Sequence, residues 1–275
     1  THGHPSCSHK HAEDHAEAPP MPKAETLSTA PIVDVLLVYT HLAAETILDV
    51  GIHAEASIAL MNYAFRNHRL DERVRLVGTS TETYWETLDS KTELDRVRIP
   101  NDGYLDGVHS TREAMGADLV ALITEDLGDS CGRARVITPN TDDPFASAFS
   151  VTDIDCIANH TLSHELGHNM GLAHDRANAN VDGFSAFSYG QQRPAQWYRT
   201  IMAYSCDHVD CVRVPFFSDP ETELGGIATG EQWLSPMASD NVRALRGTLR
   251  RREWLLPAKQ PPPRANAVAD CWSRH

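Results

Sequence analysis

One short segment constrains this chain more than any other: His164-Glu165-Leu166-Gly167-His168-Asn169-Met170-Gly171-Leu172-Ala173-His174-Asp175. Residues four apart on a helix share one face, so His164 and His168 can turn their imidazoles toward a single ion. A helix alone cannot deliver the third ligand. Gly171 is the residue that can take a left-handed turn at the helix end, and the three residues after it bring His174 back to the same point. The pattern therefore requires a buried helix, a sharp stop and a return. Its five fixed positions make a chance match of order one in ten thousand in a chain this long.

Three neutral imidazoles suit zinc and leave its fourth position open, as in a catalytic site and not a structural one. Glu165 follows the first ligand, so its carboxylate is rotated toward that open position without being needed to bind the ion. Water there is acidified to a pKa of about 7. Glu165 would take its proton during attack on a peptide carbonyl and return it to the leaving amine. Asp175 is expected to anchor the turn or orient a ligand.

Elsewhere the chain supplies the elements such a helix must pack against. Ile32 to Tyr39 is a β-branched apolar run of the kind that forms a strand buried on both faces. Ala43 to His68 carries Ile47, Val50, Ala54, Ile58, Met61 and Phe65 at helical spacing. Arg73 to Gly78 reads as a strand, Leu105 to Met115 as a helix and Ala117 to Thr124 as a third, strongly apolar strand. This alternation predicts an α/β domain with a mainly parallel sheet. Ala146 to Val151 is expected as an antiparallel edge strand, Asn159 to Met170 as the ligand-bearing helix and Met237 to Leu255 as a C-terminal helix. Between Asp175 and Pro215 there is little periodicity.

We divide the chain of 275 residues into a His- and Pro-rich segment at 1–30, extended or disordered, one catalytic domain at 31–258 and a Pro-rich tail at 259–275. No apolar run reaches the roughly 20 residues needed to span a bilayer. The net charge of −14 argues against nucleic acid or anionic lipid as partner. The basic residues Arg243, Arg246 and Arg250 to Arg252 read as a solvated helix face. A start at Thr1, without Met or an apolar leader, fits a mature secreted form.

Six cysteines, with no CxxC pair, suit disulfides and an extracellular setting. Cys206 with Cys211, Cys131 with Cys156 and Cys7 with Cys271 is one of fifteen possible connectivities. Asp142, Asp143, Asp153 and Asp155 could contribute to a calcium site, although turn formation explains them more simply.

The His164 to His174 segment matches in full the HExxHxxGxxH motif of the metzincins, and the chain resembles that family. Within it, the Asp after the third His is similar to the adamalysin or reprolysin branch. A further likeness is to bacterial peptidyl-Asp metallopeptidases, through VDVLLVYT (Val33 to Thr40), RLVGTS (Arg75 to Ser80), GADLVALI (Gly116 to Ile123), the segment around Cys131 and RTIMAYSC (Arg199 to Cys206). The resemblance covers roughly 33–220. It implies a twisted, mostly parallel five-stranded sheet above an active-site helix, followed here by a helical C-terminal part. It also implies a methionine turn beneath the metal at Met202, and Tyr204, placed as in astacins and serralysins, as a donor to the tetrahedral intermediate.

The expectation is a monomeric zinc metalloendopeptidase acting on proteins or peptides. A preference for Asp after the cut would need a cationic pocket, for which Arg199 and Arg213 are candidates. Two rival readings keep the same fold: a non-catalytic zinc-binding or adhesive protein, and a latent protease held by its N-terminal segment through Cys7 and the histidines around it.

Overall fold

A computed structural model describes residues 30–250, so the Cys7 and Cys271 pairing, the latency reading and both terminal segments, Ala30 apart, lie outside the described residues. Strand β1 (Ile32–Thr40) is buried along nearly its whole length, as its Val and Leu content requires, and the one charge within it, Asp34, is paired with Arg75. Thr40 closes it and caps a short helix α1 (His41–Glu45) by accepting from the Ala43 N–H at 3.0 Å. Asp49 then caps helix α2 (Val50–Asn67) through the Ile52 N–H at 2.9 Å. The single helix expected from Ala43 to His68 is thus two, because an Asp cap starts a helix afresh.

Strand β2 (Arg73–Glu82), helix α3 (Ser90–Arg98), helix α4 (Gly107–Met115) and strand β3 (Leu119–Thr124) follow. After them come the three-residue strand β4 (Gly132–Ala134), the one-turn helix α5 (Pro144–Ser147) and strand β5 (Phe149–Asp153). The sheet order is β2-β1-β3-β5-β4, parallel except at β4. Here the expectation is corrected. The segment read as an antiparallel edge runs parallel to β3, and the antiparallel edge strand is β4, too short to show a period of two.

Helix α6 (Thr161–Asn169), buried at every position, lies under this sheet against β3, β4, β5 and α2. Helices α2, α6 and α7 (Asn241–Leu249) share one apolar core with one face of the sheet, while α3 and α4 cover the other. The expected start of α7 at Met237 moves to Asn241, behind the Asp240 cap. No described helix is long and apolar enough to cross a membrane. Past α6 run the short strands β6 (Ala173–Asp175), β7 (Tyr189–Gly190), β8 (Gln192–Arg193), β9 (Tyr198–Arg199) and β10 (Val212–Arg213).

Two anchors, one side chain and one disulfide, hold α6 at a fixed height. Fully buried Asn169 donates its Nδ2 to the carbonyls of Arg135 (3.1 Å), Ser147 (3.3 Å) and Phe149 (3.1 Å), tying the helix end to the strand edge. Disulfide Cys131–Cys156 joins the start of β4 to the turn that leads into α6. A second disulfide links Cys206 and Cys211.

Candidate metal centre

Gly171 ends α6 at φ +88°, where a Cβ would stand 2.7 Å from the Phe184 Cβ. That turn returns the chain so that the three Nε2 atoms of His164, His168 and His174 form a triangle with sides of 3.0 and 3.1 Å. The other ring nitrogens are committed to the backbone. His164 Nδ1 lies 2.8 Å from the Ile201 carbonyl and His168 Nδ1 2.7 Å from that of Leu172, while His174 has a backbone hydrogen bond with Asn178. A carbonyl accepts only from an N–H, so His164 and His168 carry their protons on Nδ1 and direct Nε2 lone pairs inward.

Burial depresses all three imidazoles, His168 to about 3 and His164 well below the usual histidine range. Lone pairs 3 Å apart with no proton between them repel, and a cation among them reverses the sign. Nitrogen ligands about 2.0–2.1 Å from a tetrahedral zinc would stand roughly 3.3 Å apart. The triangle, a little tighter than that, therefore fits the ion. Among the described residues this is the one cluster of His, Cys, Asp or Glu ligand atoms close enough to share a metal.

Met202 packs against the helix that bears His164 and His168: it is fully buried, and a Cβ on Gly167 of α6 would come within 2.5 Å of its Sδ. Asp175, also buried, accepts the Tyr204 N–H at 3.0 Å and the Asn178 side-chain amide at 2.9 and 3.1 Å. It fastens the third ligand's loop to the methionine turn. The Tyr204 ring rests 4.1 Å from the His174 ring, and burial raises its hydroxyl pKa, so the phenol keeps its proton.

A cleft of about 380 Å³ opens above the triangle, and the only carboxylate among its lining residues is Glu165. Burial pushes this carboxyl up to about 8, while the nearby Arg213 and Arg133 guanidinium groups oppose the rise. Arg199, Arg213 and Arg133 line the same cleft. Arg199 is largely occupied: Nη1 donates to the Ala203 carbonyl (2.6 Å) and Nε to that of Cys211 (3.3 Å), tying the residue after Met202 to one end of the second disulfide loop. Arg213 reaches the Asn159 carbonyl (3.1 Å) and Thr161 Oγ1 (3.4 Å), and its buried Nε has no hydrogen-bond partner among the described residues.

Gly132 and Arg133 were not legible as site residues. A Cβ on Gly132 would fall 2.6 Å from Glu165 Oε1, so β4 sets the space that the carboxylate occupies. Asp142, Asp143, Asp153 and Asp155 form no close group of ligands. Asp143 and Asp153 instead accept backbone N–H groups at turns, from Ala146 and from Asp155 and Leu127.

Comparison with known proteins bears on this arrangement. The family model described as Metallo-peptidase family M12 matches residues 29–217. A peptidyl-Asp metalloendopeptidase of Xanthomonas campestris pv. campestris is 31% identical over 195 residues, covering 70% of this chain and 44% of that protein. Another of the same name from Stenotrophomonas maltophilia is 28% identical over 253 residues, covering 86% of this chain and 58% of the relative. The chain thus spans about half the length of these curated relatives. A solved structure described as a chaperone-substrate complex superposes with a TM-score of 0.63 at 19% identity, over 83% of this chain and 35% of that one, a likeness of fold alone.

Proposed function

Because the chain belongs to metallo-peptidase family M12, we propose that it is a secreted, monomeric zinc metalloendopeptidase that hydrolyses internal peptide bonds of proteins, with Glu165 as general base and Asp preferred after the cut. The observation that carries this reading is the triangle of inward-facing Nε2 atoms in a cleft whose one carboxylate belongs to the residue after the first of them. Zinc, when bound by His164, His168 and His174, supplies Lewis acidity that polarises a carbonyl and acidifies water. Glu165 holds the proton taken from the attacking water and passes it to the leaving nitrogen. Burial raises the Glu165 carboxyl above the usual carboxylate range, which makes it a stronger proton acceptor than a solvated glutamate. Tyr204, protonated and beside His174, donates its O–H to the oxygen on which charge develops.

Edge strand β4 leaves a row of backbone groups at the cleft, and an extended peptide would pair with them. A substrate aspartate would be held by Arg213, whose buried guanidinium has no carboxylate within ion-pair distance among the described residues. The relatives' names support Asp as that residue. The two disulfides support an oxidising compartment. A non-catalytic binder would have no use for a buried carboxylate pointed at the ligands, so that rival is disfavoured.

The test uses zinc analysis, casein hydrolysis and a mixed peptide library with wild type and Glu165→Gln. The variant should keep one zinc per chain and lose activity by more than a hundredfold. Equal activity of the two proteins would refute the assigned base, and a library with no acidic enrichment after the cut would remove the Asp preference.

A further inference from the structure

The cleft is an electropositive island in an acidic molecule. Against a net charge of −14 for the chain, it is lined by three arginines and one carboxylate. Those arginines do not stand together. Arg213 is bonded to Asn159 and Thr161, at the start of α6. Arg133 belongs to β4, the strand whose preceding Gly132 faces Glu165. Successive side chains of a strand point to opposite faces. Arg133 accordingly leaves the sheet on the other face, where its Nε donates to Ser90 Oγ at 2.8 Å. Ser90 is fully buried at the start of α3 and donates its own N–H to Asp129 Oδ1 at 3.1 Å.

The guanidinium is therefore gripped through its inner nitrogen. Its outer nitrogens make no hydrogen bond among the described residues; Asp129 Oδ2, 4.0 Å from Nη2, is a long-range ion-pair partner that leaves their hydrogen-bonding capacity open. Arg133 is close enough to act electrostatically on both Glu165 and Tyr204, so its charge bears on the space a substrate would occupy.

We infer that Arg133 is a second specificity-determining residue, binding an acidic side chain of the substrate at a position different from the one held by Arg213, so that the preferred substrates are protein segments carrying two carboxylates a few residues apart. Ser90 is its positioning residue. This inference rests on the peptidase reading above. Because the Arg133 side chain is 43% exposed, water screens the pair and the expected gain is modest, about threefold to tenfold.

The experiment is a set of fluorogenic peptides with Asp fixed after the cleaved bond and Glu or Gln placed in turn at each flanking position, assayed for kcat and KM. Wild type should favour Glu over Gln at one flanking position, about threefold to tenfold and through KM. The ratio should fall to near one in Arg133→Gln, invert in Arg133→Glu, and be intermediate in Ser90→Ala, with zinc content and melting temperature verifying the fold of each. Equal use of Glu and Gln at every flanking position by wild type, or a ratio that survives in both Arg133 variants, overturns the inference. Replacing the fixed Asp by Asn tests the other site separately. If that change costs nothing, the Asp preference fails, while the flanking ratio still decides the role of Arg133.

Discussion

Replacing Gly132 by Ala isolates the placement of the Glu165 carboxylate, the proposed general base, from every other part of the site. The backbone of Gly132 is not in the left-handed region, so Ala brings no conformational strain of its own. Its methyl group would, however, stand 2.6 Å from Glu165 Oε1, 2.8 Å from Cγ and 2.9 Å from Cδ. Non-bonded atoms settle at about 3.5 Å or more, so the carboxylate must retreat by roughly 0.8 Å. Rotation about the last bond cannot provide this, because Cγ is blocked too. A misplacement near 1 Å costs about a hundredfold in rate, or roughly 2.7 kcal/mol of barrier. The proposed zinc ligands, His164, His168 and His174, lie elsewhere and are not displaced directly. With an Asp-containing fluorogenic peptide, Gly132→Ala should lower kcat about a hundredfold while retaining one zinc per chain and an unchanged circular dichroism spectrum. Activity within threefold of wild type would refute the steric argument. Loss of zinc would show that β4 governs the ligands and not the base.

Metal removal should also register in stability, since it restores repulsion among three converging lone pairs. At free zinc a thousandfold above Kd the folded state gains about 4 kcal/mol, so chelation should lower the melting temperature by roughly 10 °C; coincident melts of apo and zinc-loaded protein would contradict the fit. Asp240 caps α7, and burial raises its carboxyl to about 6. A raised folded-state pKa gives stability that is complete below about pH 4 and lost as pH rises through 6, roughly 3 kcal/mol at most. Asp240→Asn keeps the cap without the charge, so urea midpoints at pH 4.5 and 7.5 should differ less in the variant than in wild type; an unaltered difference would point to another group. Asn169→Ala removes the two N–H donors that three backbone carbonyls share and should cost about 1–3 kcal/mol in urea unfolding. A variant as stable as wild type would mean that those carbonyls find other donors.

What was legible in the sequence depended on how local its physical cause is. The apolar runs of β1 and β3 declare themselves because both faces of these strands are covered. The helix bearing His164 and His168 declares itself because spacing of four has one structural meaning. Other features depend on partners distant in the chain. Helix α3 shows little apolar spacing because Leu94 and Val97 are its only hydrophobic residues, and its other buried positions are the polar Ser90 and Glu93. The direction of β5 is set by the path from β4 through α5, which no pattern within Phe149 to Asp153 reports. Arg199, Arg213 and Arg133 look alike in sequence. Arg199 is engaged by the carbonyls of Ala203 and Cys211, Arg213 is enclosed near α6, and Arg133 projects from an edge strand, distinctions that exist only once the chain has closed on itself.

The brevity of β4 has an effect on the behaviour of the molecule in concentrated solution. An unprotected sheet margin is a template for aggregation, and long, flat, apolar margins are the dangerous ones. A border of three residues containing an arginine offers another folded copy too little to grip. At this margin only a solitary strand, gaining attractions from the surrounding walls, would repay docking, so the shortness that would admit a guest discourages pairing of β4 between folded copies.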